Sequence, residues 1–291
     1  MKQLIFSGCA TALVTPFTQD GDAVDYDLFE TLCEYQIAHK TDALVIAGTT
    51  GESPVLSGDE KKRLFSLAVR TSAGRIPVIA GTGSNNTEEA VLKSNDAEKQ
   101  GVNALLVVTP YYNKCTQEGL VKHFYFIADR VSVPIIVYNV PSRTGMNILP
   151  ETYRALSEHK RIAAVKEANG NISAAAETRR LCKDALTVYS GNDDQTAAML
   201  ALGGKGVISV ASNIIPCVMH EMATDNERSA QLQIEYNKLL LALFCEVNPI
   251  PVKAAMEAMW CHAFPLRLPL TTISEQNRIY INNVLQEYDL L

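Results

Sequence analysis

The hydrophobic positions of this chain gather into short unbroken runs rather than alternating with polar ones. Eight such runs recur over the first two-thirds, at residues 10–14, 43–47, 77–80, 104–108, 134–137, 162–165, 186–189 and 206–210. Unbroken apolar stretches of this length suit parallel strands covered on both faces. Between them lie segments long enough for a helix. Residues 25–40 place Leu28, Leu32, Tyr35 and Ile37 on one inner face, and residues 87–100 open with Thr87-Glu88-Glu89 and close at Gly101. Pro150-Glu151 starts another, with proline in a first-turn position.

Eight strands with intervening helices predict an α/β fold, a closed (β/α)8 TIM barrel rather than an open doubly wound sheet. A nucleotide-binding open sheet would carry a glycine-rich fingerprint after its first strand, where Thr15-Pro16-Phe17 stands instead. Gly81-Thr82-Gly83 lacks the third glycine and reads as a tight strand-to-helix turn. Past Asn213 the strand signal stops, and the rest is helical in pattern, most clearly over 232–244 and 251–262. The expected organisation is a barrel over 1–213 carrying the active site, with a helical extension over 214–291 packed on it.

Composition narrows the class of function. With 47% hydrophobic and 20% charged residues, the 291-residue chain is globular in type. A formal net charge of −6 argues against a nucleic-acid or anionic membrane surface, so an anionic ligand must be met by a local cationic pocket. No apolar run approaches the roughly 18 residues needed to span a bilayer. Lys2 followed by Leu4-Ile5-Phe6-Ser7-Gly8-Cys9 faintly resembles a lipoprotein cleavage signal. Its apolar core is too short and runs straight into the first strand, so a cytoplasmic protein is expected. The seven cysteines are scattered without a CxxC pair, and the five histidines lack ligand spacing. Free thiols in a reducing compartment are expected, with neither disulfides nor a metal site.

A barrel of this type forms its site at the C-terminal ends of the strands. Lys166 follows the run Ile162-Ala163-Ala164-Val165 directly, so its stem points into the barrel or its rim. Desolvation there favours the neutral amine, the form that makes a Schiff base with a carbonyl compound. The plainer alternative is a lysine snorkelling at the barrel edge. Glu167 is a poor partner for it, because adjacent strand residues face opposite sides. Gly48-Thr49-Thr50-Gly51-Glu52 offers hydroxyls and backbone N–H groups that can hold a small carboxylate, or merely satisfy their own turn. Tyr111, Tyr112 and Tyr138 could relay protons or simply pack. Arg143 could grip a second carboxylate or stay solvated. Together they compose a class I aldolase-type site, and no HExxH, paired-carboxylate or Walker pattern competes.

The same residues carry a resemblance. Gly48-Thr49-Thr50-Gly51-Glu52, Ile76-Pro77-Val78-Ile79-Ala80-Gly81-Thr82-Gly83, Val108-Thr109-Pro110-Tyr111-Tyr112-Asn113, Tyr138-Asn139-Val140-Pro141-Ser142-Arg143-Thr144-Gly145, Lys166, Gly206-Val207-Ile208-Ser209-Val210 and Asn248-Pro249-Ile250-Pro251-Val252-Lys253 run in order through most of the chain. This pattern resembles the dihydrodipicolinate synthase group of the pyruvate-dependent, N-acetylneuraminate lyase superfamily. The resemblance implies Schiff-base condensation of pyruvate with L-aspartate-4-semialdehyde to give 4-hydroxy-tetrahydrodipicolinate, in diaminopimelate and lysine synthesis, with no cofactor. It implies Lys166 as the Schiff-base lysine and Tyr138, Thr49 and Tyr112 as a proton relay. Tyr112 would come from the neighbouring subunit of a tight dimer, in a homotetramer. Thr50 and the Ile208 backbone would bind the pyruvate carboxylate, Gly191 would line the pocket, and Arg143 would bind the semialdehyde carboxylate.

Ser53, Asn85, Glu89 and Tyr111 match a lysine-binding regulatory site of that group, but Gly58 and Lys61 stand where the inhibited enteric type has histidines. Lys61 opposes a bound lysine side chain, so weak or absent feedback is expected. Two alternatives remain at this point: a related class I aldolase acting on a 2-keto-3-deoxy sugar acid or N-acetylneuraminate, and a non-catalytic barrel that binds keto acids.

Overall fold

Eight parallel strands close into a barrel in sequence order: β1 (Gly8–Ala12), β2 (Ala43–Ile46), β3 (Val78–Gly81), β4 (Ala104–Val108), β5 (Ile135–Asn139), β6 (Ile162–Glu167), β7 (Thr187–Ser190) and β8 (Gly206–Ser209). The structure is a computed structural model that describes Lys2 and residues 4–291. All eight strands lie on the expected apolar runs, shifted by a few residues. The shift matters at β5 and β6, which continue past their apolar runs to take in Tyr138-Asn139 and Lys166-Glu167. The barrel closes where β1 meets β8, with Gly8 opposite Gly206. A Cβ on Gly206 would stand 1.9 Å from the Gly8 carbonyl oxygen, so the seam needs glycine there.

The strands alternate with α1 (Tyr26–Ala38), α2 (Gly58–Ser72), α3 (Thr87–Lys99), α4 (Gln117–Ala128), the one-turn α5 (Pro141–Thr144), α6 (Pro150–Ser157), α7 (Ile172–Cys182), α8 (Thr196–Ala201) and α9 (Pro216–Thr224). Their starts are written locally. The Asp25 side chain accepts from Leu28 N, and the Asn86 side chain accepts from Glu88 N and Glu89 N. Ser57 and Glu60 form a reciprocal capping box on α2. The α3 cap is thus Asn86, one residue before the Thr-Glu-Glu start.

Because strand side chains alternate, the barrel has two apolar layers. Ala10, Val45, Ile79, Ile136, Ala164 and Ile208 are among the residues filling the interior, while Leu44, Leu105, Val137, Val165 and Val207 face the helices. Each large aliphatic side chain so buried contributes roughly 1.5–3 kcal/mol. Phe6 stacks on Tyr189 with ring centroids 4.1 Å apart, and Cys9 is fully buried in β1. Phe6 and Cys9, within the stretch that resembled a cleavage signal, are therefore packed into the barrel.

The helical part expected from residue 214 opens with α9, which packs against β1. His220 Nδ1 lies 2.8 Å from Asp42 Oδ2, and Asp42 also accepts from Cys9 N at 2.7 Å. It is the eighth barrel helix, so the extension begins after residues 225–228. The strand signal ends with β8, but a barrel unit ends with the helix that follows its strand. The extension comprises α10 (Ser229–Ala242), α11 (Ile250–Trp260) and α12 (Glu275–Glu287). Among the described residues no helix is long and apolar enough to cross a membrane.

Candidate active site

Lys166 and Tyr138 are neighbours across the β5–β6 ladder, where the register pairs them directly. Both point into the barrel and both are buried, and the Lys166 ammonium sits 4.5 Å from the centroid of the Tyr138 ring. Burial lowers the Lys166 pKa to about 8, with Arg143 acting in the same direction and Asp193 opposing. At neutral pH this leaves on the order of a tenth of the amines uncharged, against roughly one in several thousand for an exposed lysine. The plain snorkelling alternative does not describe this side chain. Burial also raises the pKa of Tyr138, so the phenol keeps its proton, while Arg143 and the nearby Thr49 hydroxyl oppose that rise. An amine partly neutral at pH 7 therefore stands beside a protonated phenol, and Thr49, from the loop after β2, lines the same cleft as that phenol.

That loop is held from several sides. The Thr15 hydroxyl donates to the Gly51 carbonyl at 2.7 Å, and Glu52 adopts a left-handed backbone (φ 54°). The Glu52 carboxylate meets the Lys253 ammonium at 2.5 Å, and its second oxygen accepts from Arg267 N at 3.1 Å. Thr50 is buried, and its hydroxyl accepts from Asn248 Nδ2 at 3.0 Å. The Asn248 carbonyl in turn accepts from the Arg143 guanidinium at 3.0 Å. Asn248 thus links the two groups expected to hold carboxylates, Thr50 and Arg143. It arrives from the C-terminal extension, at the start of α11.

Gly191 and Ile208 lie at the neighbouring ends of β7 and β8. Gly191 N donates to the Glu167 carbonyl at 2.7 Å, and a Cβ there would come within 2.7 Å of the Ala168 Cβ, so only glycine fits. Beyond it, the buried Asp193 accepts from Val210 N at 3.0 Å and Ala211 N at 2.9 Å through one oxygen, while the other has no hydrogen-bond partner. This carboxylate fixes the backbone just after Ile208 and is the anion acting on Lys166.

A cleft of about 650 Å3 opens off the site, with Thr49, Tyr138 and Arg143 on its wall. Ser53, Glu89 and Tyr111 also line it, together with Gly58 and Lys61. Asn85 does not line it, although its carbonyl accepts from Asn113 Nδ2 at 2.9 Å. Burial and the neighbouring Lys93 ammonium lower the Lys61 pKa to about 8. Tyr112 is not brought to Tyr138 within one chain: it stands 90% exposed in the left-handed region (φ 70°), outside the cleft.

Sequence reasoning named Lys166, Tyr138, Thr49, Thr50, Arg143, Gly191 and Ile208, and the fold gathers these at one barrel mouth. It missed Asp193, which appears only as one of two adjacent aspartates after β7. It used Asn248 as part of a motif without a role, and it set Glu167 aside. Among the described residues no group of three or more His, Cys, Asp or Glu side chains is arranged to hold a metal ion.

Comparison with known proteins follows the same geometry. The model of the dihydrodipicolinate synthetase family matches residues 5–288. The 4-hydroxy-tetrahydrodipicolinate synthase 1 of Clostridium acetobutylicum is 51% identical over 292 residues, covering 99% of each chain. The crystal structure of dihydrodipicolinate synthase from Thermotoga maritima superposes with a TM-score of 0.95 at 45% identity, covering 99% of this chain and 100% of that one. The chloride-inhibited dihydrodipicolinate synthase of Acinetobacter baumannii, crystallised with pyruvate, gives a TM-score of 0.96 at 39% identity, covering 99% of this chain and 100% of that one.

Proposed function

The chain belongs to the dihydrodipicolinate synthetase family, and we propose an assignment of its residues to that family's reaction. It is an enzyme that condenses pyruvate with L-aspartate-4-semialdehyde to 4-hydroxy-tetrahydrodipicolinate, a lyase step of diaminopimelate and lysine biosynthesis. The sugar-acid aldolase and sensor alternatives are not favoured, because a relative half identical over the whole chain carries the synthase name.

Neutral Lys166 attacks the pyruvate ketone, water leaves, and a protonated imine forms. The imine acidifies the adjacent methyl group, and proton loss through Tyr138 and Thr49 gives the enamine. The enamine carbon attacks the aldehyde, and the new alkoxide takes a proton from the same relay. The substrate's own amine then displaces Lys166 by transimination, which closes the ring and returns the free amine. The protonated imine is itself the electron sink, so the scheme calls on no cofactor. Thr50, the Ile208 backbone and the space left by Gly191 take the pyruvate carboxylate, and Arg143 takes that of the semialdehyde.

Tyr112 completes the relay from a second copy of the chain, in a tight dimer that pairs into a tetramer. Its 90% exposure and left-handed backbone support that reading, since a phenol displayed in this way is held out from its own subunit. Ser53, Glu89 and Tyr111 form the wall of a regulatory cleft in which Lys61 disfavours free lysine. The seven free cysteines support residence in a reducing cytoplasm.

The observation that carries the assignment is the buried Lys166 amine beside the buried Tyr138 phenol. Incubation with pyruvate and borohydride, followed by intact mass and peptide mapping, tests it. A reduced pyruvate adduct on Lys166 is expected. Folded protein that gives no adduct, or one elsewhere, overturns the assignment.

A further inference from the structure

The outer face of the strands that carry Lys166 and Tyr138 holds a second polar set that the reaction scheme does not use. Successive strand residues point to opposite sides, so Asn139 and Glu167 face the helices while their neighbours Tyr138 and Lys166 face the barrel interior. The two pairs share one register, Tyr138 opposite Lys166 and Asn139 opposite Glu167. Glu167 is buried and Asn139 wholly so.

The Glu167 carboxylate accepts from every side. One oxygen takes Asn139 Nδ2 at 2.9 Å and Asn169 N at 2.9 Å, and the other takes the Tyr153 hydroxyl of α6 at 2.7 Å. Asn139 Nδ2 also reaches Asn147 Oδ1 at 2.9 Å, and its Oδ1 accepts from Ile148 N at 3.2 Å. Main-chain bonds extend the set: Ala168 N donates to the Asn139 carbonyl at 2.9 Å, and Gly191 N to the Glu167 carbonyl at 2.7 Å. The ends of β5 and β6 and the start of α6 are therefore tied to one carboxylate, the loop between α5 and α6 joins through Asn139, and the end of β7 through the Glu167 main chain.

Such a carboxylate is costly where it stands. The same outward face carries Ile135, Val137 and Val165, and burial pushes the Glu167 pKa up to about 7. A well-packed apolar side chain would close the layer at lower cost, since buried ionic groups are weak sources of stability. What a carboxylate adds is direction, because each hydrogen bond fixes an angle as well as a distance.

We propose that Glu167, held by Asn139 and Tyr153, is a positioning residue for the condensation: it fixes the strand ends on which Lys166 and Tyr138 stand, and so sets the amine against the phenol without touching substrate. The proposal rests on the roles assigned above to Lys166 and Tyr138. A displacement of about 1 Å between reacting groups can cost on the order of 100-fold in rate. The loop carrying Asn147 and Ile148 follows Arg143 directly, so the same ties bear on the semialdehyde side of the site.

Tyr153→Phe removes one hydrogen bond and keeps the ring in place, so it decides the matter, and Glu167→Gln keeps the side-chain shape without the charge. Asp193 and Arg143, the charged groups acting on Lys166, are untouched by either change. The expected result for Tyr153→Phe is a kcat lowered about 10- to 100-fold per folded molecule, with the KM for pyruvate nearly unchanged. Borohydride trapping should still occur at Lys166, but more slowly. Its pH midpoint should move above the wild-type value of about 8, because a looser strand end lets water reach the ammonium. A merely structural role would lower the unfolding midpoint and leave kcat and the trapping midpoint of folded protein where they were, and that outcome overturns the proposal. Trapping of wild-type protein at Lys166 is the control: if it fails, the roles beneath the proposal are wrong, whereas success with an unaltered variant removes the positioning role alone.

Discussion

The Glu52 carboxylate and the Lys253 ammonium meet at 2.5 Å inside the protein, each side chain only 1% exposed. The pair ties the loop after β2, which carries Thr49 and Thr50, to α11 of the C-terminal extension. The Lys253 ammonium also donates to the Pro265 carbonyl at 2.8 Å and lies 4.3 Å from the centroid of the Phe17 ring. The extension is thereby part of the active-site wall. Removing one member strands a buried charge, which typically costs about 3–5 kcal/mol. Lys253→Met should lower the urea midpoint accordingly, and pairing it with Glu52→Gln should recover part of the loss. A single variant as stable as wild type would show that the pair contributes nothing.

The depressed Lys166 pKa gives a pH dependence whose sign is fixed. With the neutral amine as nucleophile in the proposed scheme, pyruvate trapping should accelerate as pH rises toward about 8 and level off above it. Asp193 holds that pKa up against burial, so Asp193→Asn should move the midpoint to lower pH. A midpoint that stays in place, or rises, contradicts the electrostatic link between the two.

In the proposed scheme Tyr138 and Lys166 act at different stages, and that separates their variants. Tyr138→Phe should lower kcat about 100- to 10,000-fold, the range for loss of a positioned proton carrier, yet still yield a borohydride adduct on Lys166. Normal turnover in this variant would remove the phenol from the relay.

Arg143 should discriminate between the two substrates. A charge-assisted hydrogen bond is worth about 1.5–3 kcal/mol, so Arg143→Ala should lower kcat/KM for the semialdehyde roughly 10- to 150-fold. Pyruvate trapping at Lys166 should persist. Unimpaired semialdehyde turnover would mean that another group binds its carboxylate.

The cleft gives an expectation for feedback. If the cleft is the regulatory site proposed above, Lys61, which lines it with Glu89 and Tyr111, sets a cation against a bound lysine side chain. Activity should therefore survive millimolar lysine. An enzyme silenced under those conditions would show that the cleft accommodates both cations.

The strands were legible because parallel strands buried on both faces need unbroken apolar residues, and eight such runs stand out. Lys166 was legible for the same reason, as a charge at the end of an apolar run. Tyr138, Thr49, Thr50, Arg143, Gly191 and Ile208 were named through motif resemblance and strand-end position. Asp193 was not, because an aspartate beside another aspartate carries no mark of which one turns inward. Asn248 lies 198 residues from Thr50, and no local pattern announces a bond across that span. The packing of α9 was illegible for a similar reason, since its periodicity shows a helix without showing that β1 lies beneath it.

The sequence by itself determined the elements, their order and the chemical types at the strand ends, because those follow from local burial and periodicity. The tertiary structure decided which side chains share a space. Barrel closure and strand register put Lys166 beside Tyr138, turned Glu167 and Asn139 to the opposite side, and brought Asn248 between Thr50 and Arg143. Proximity between residues distant in sequence depends on the register and packing of whole elements, and reactivity at this site depends on that proximity.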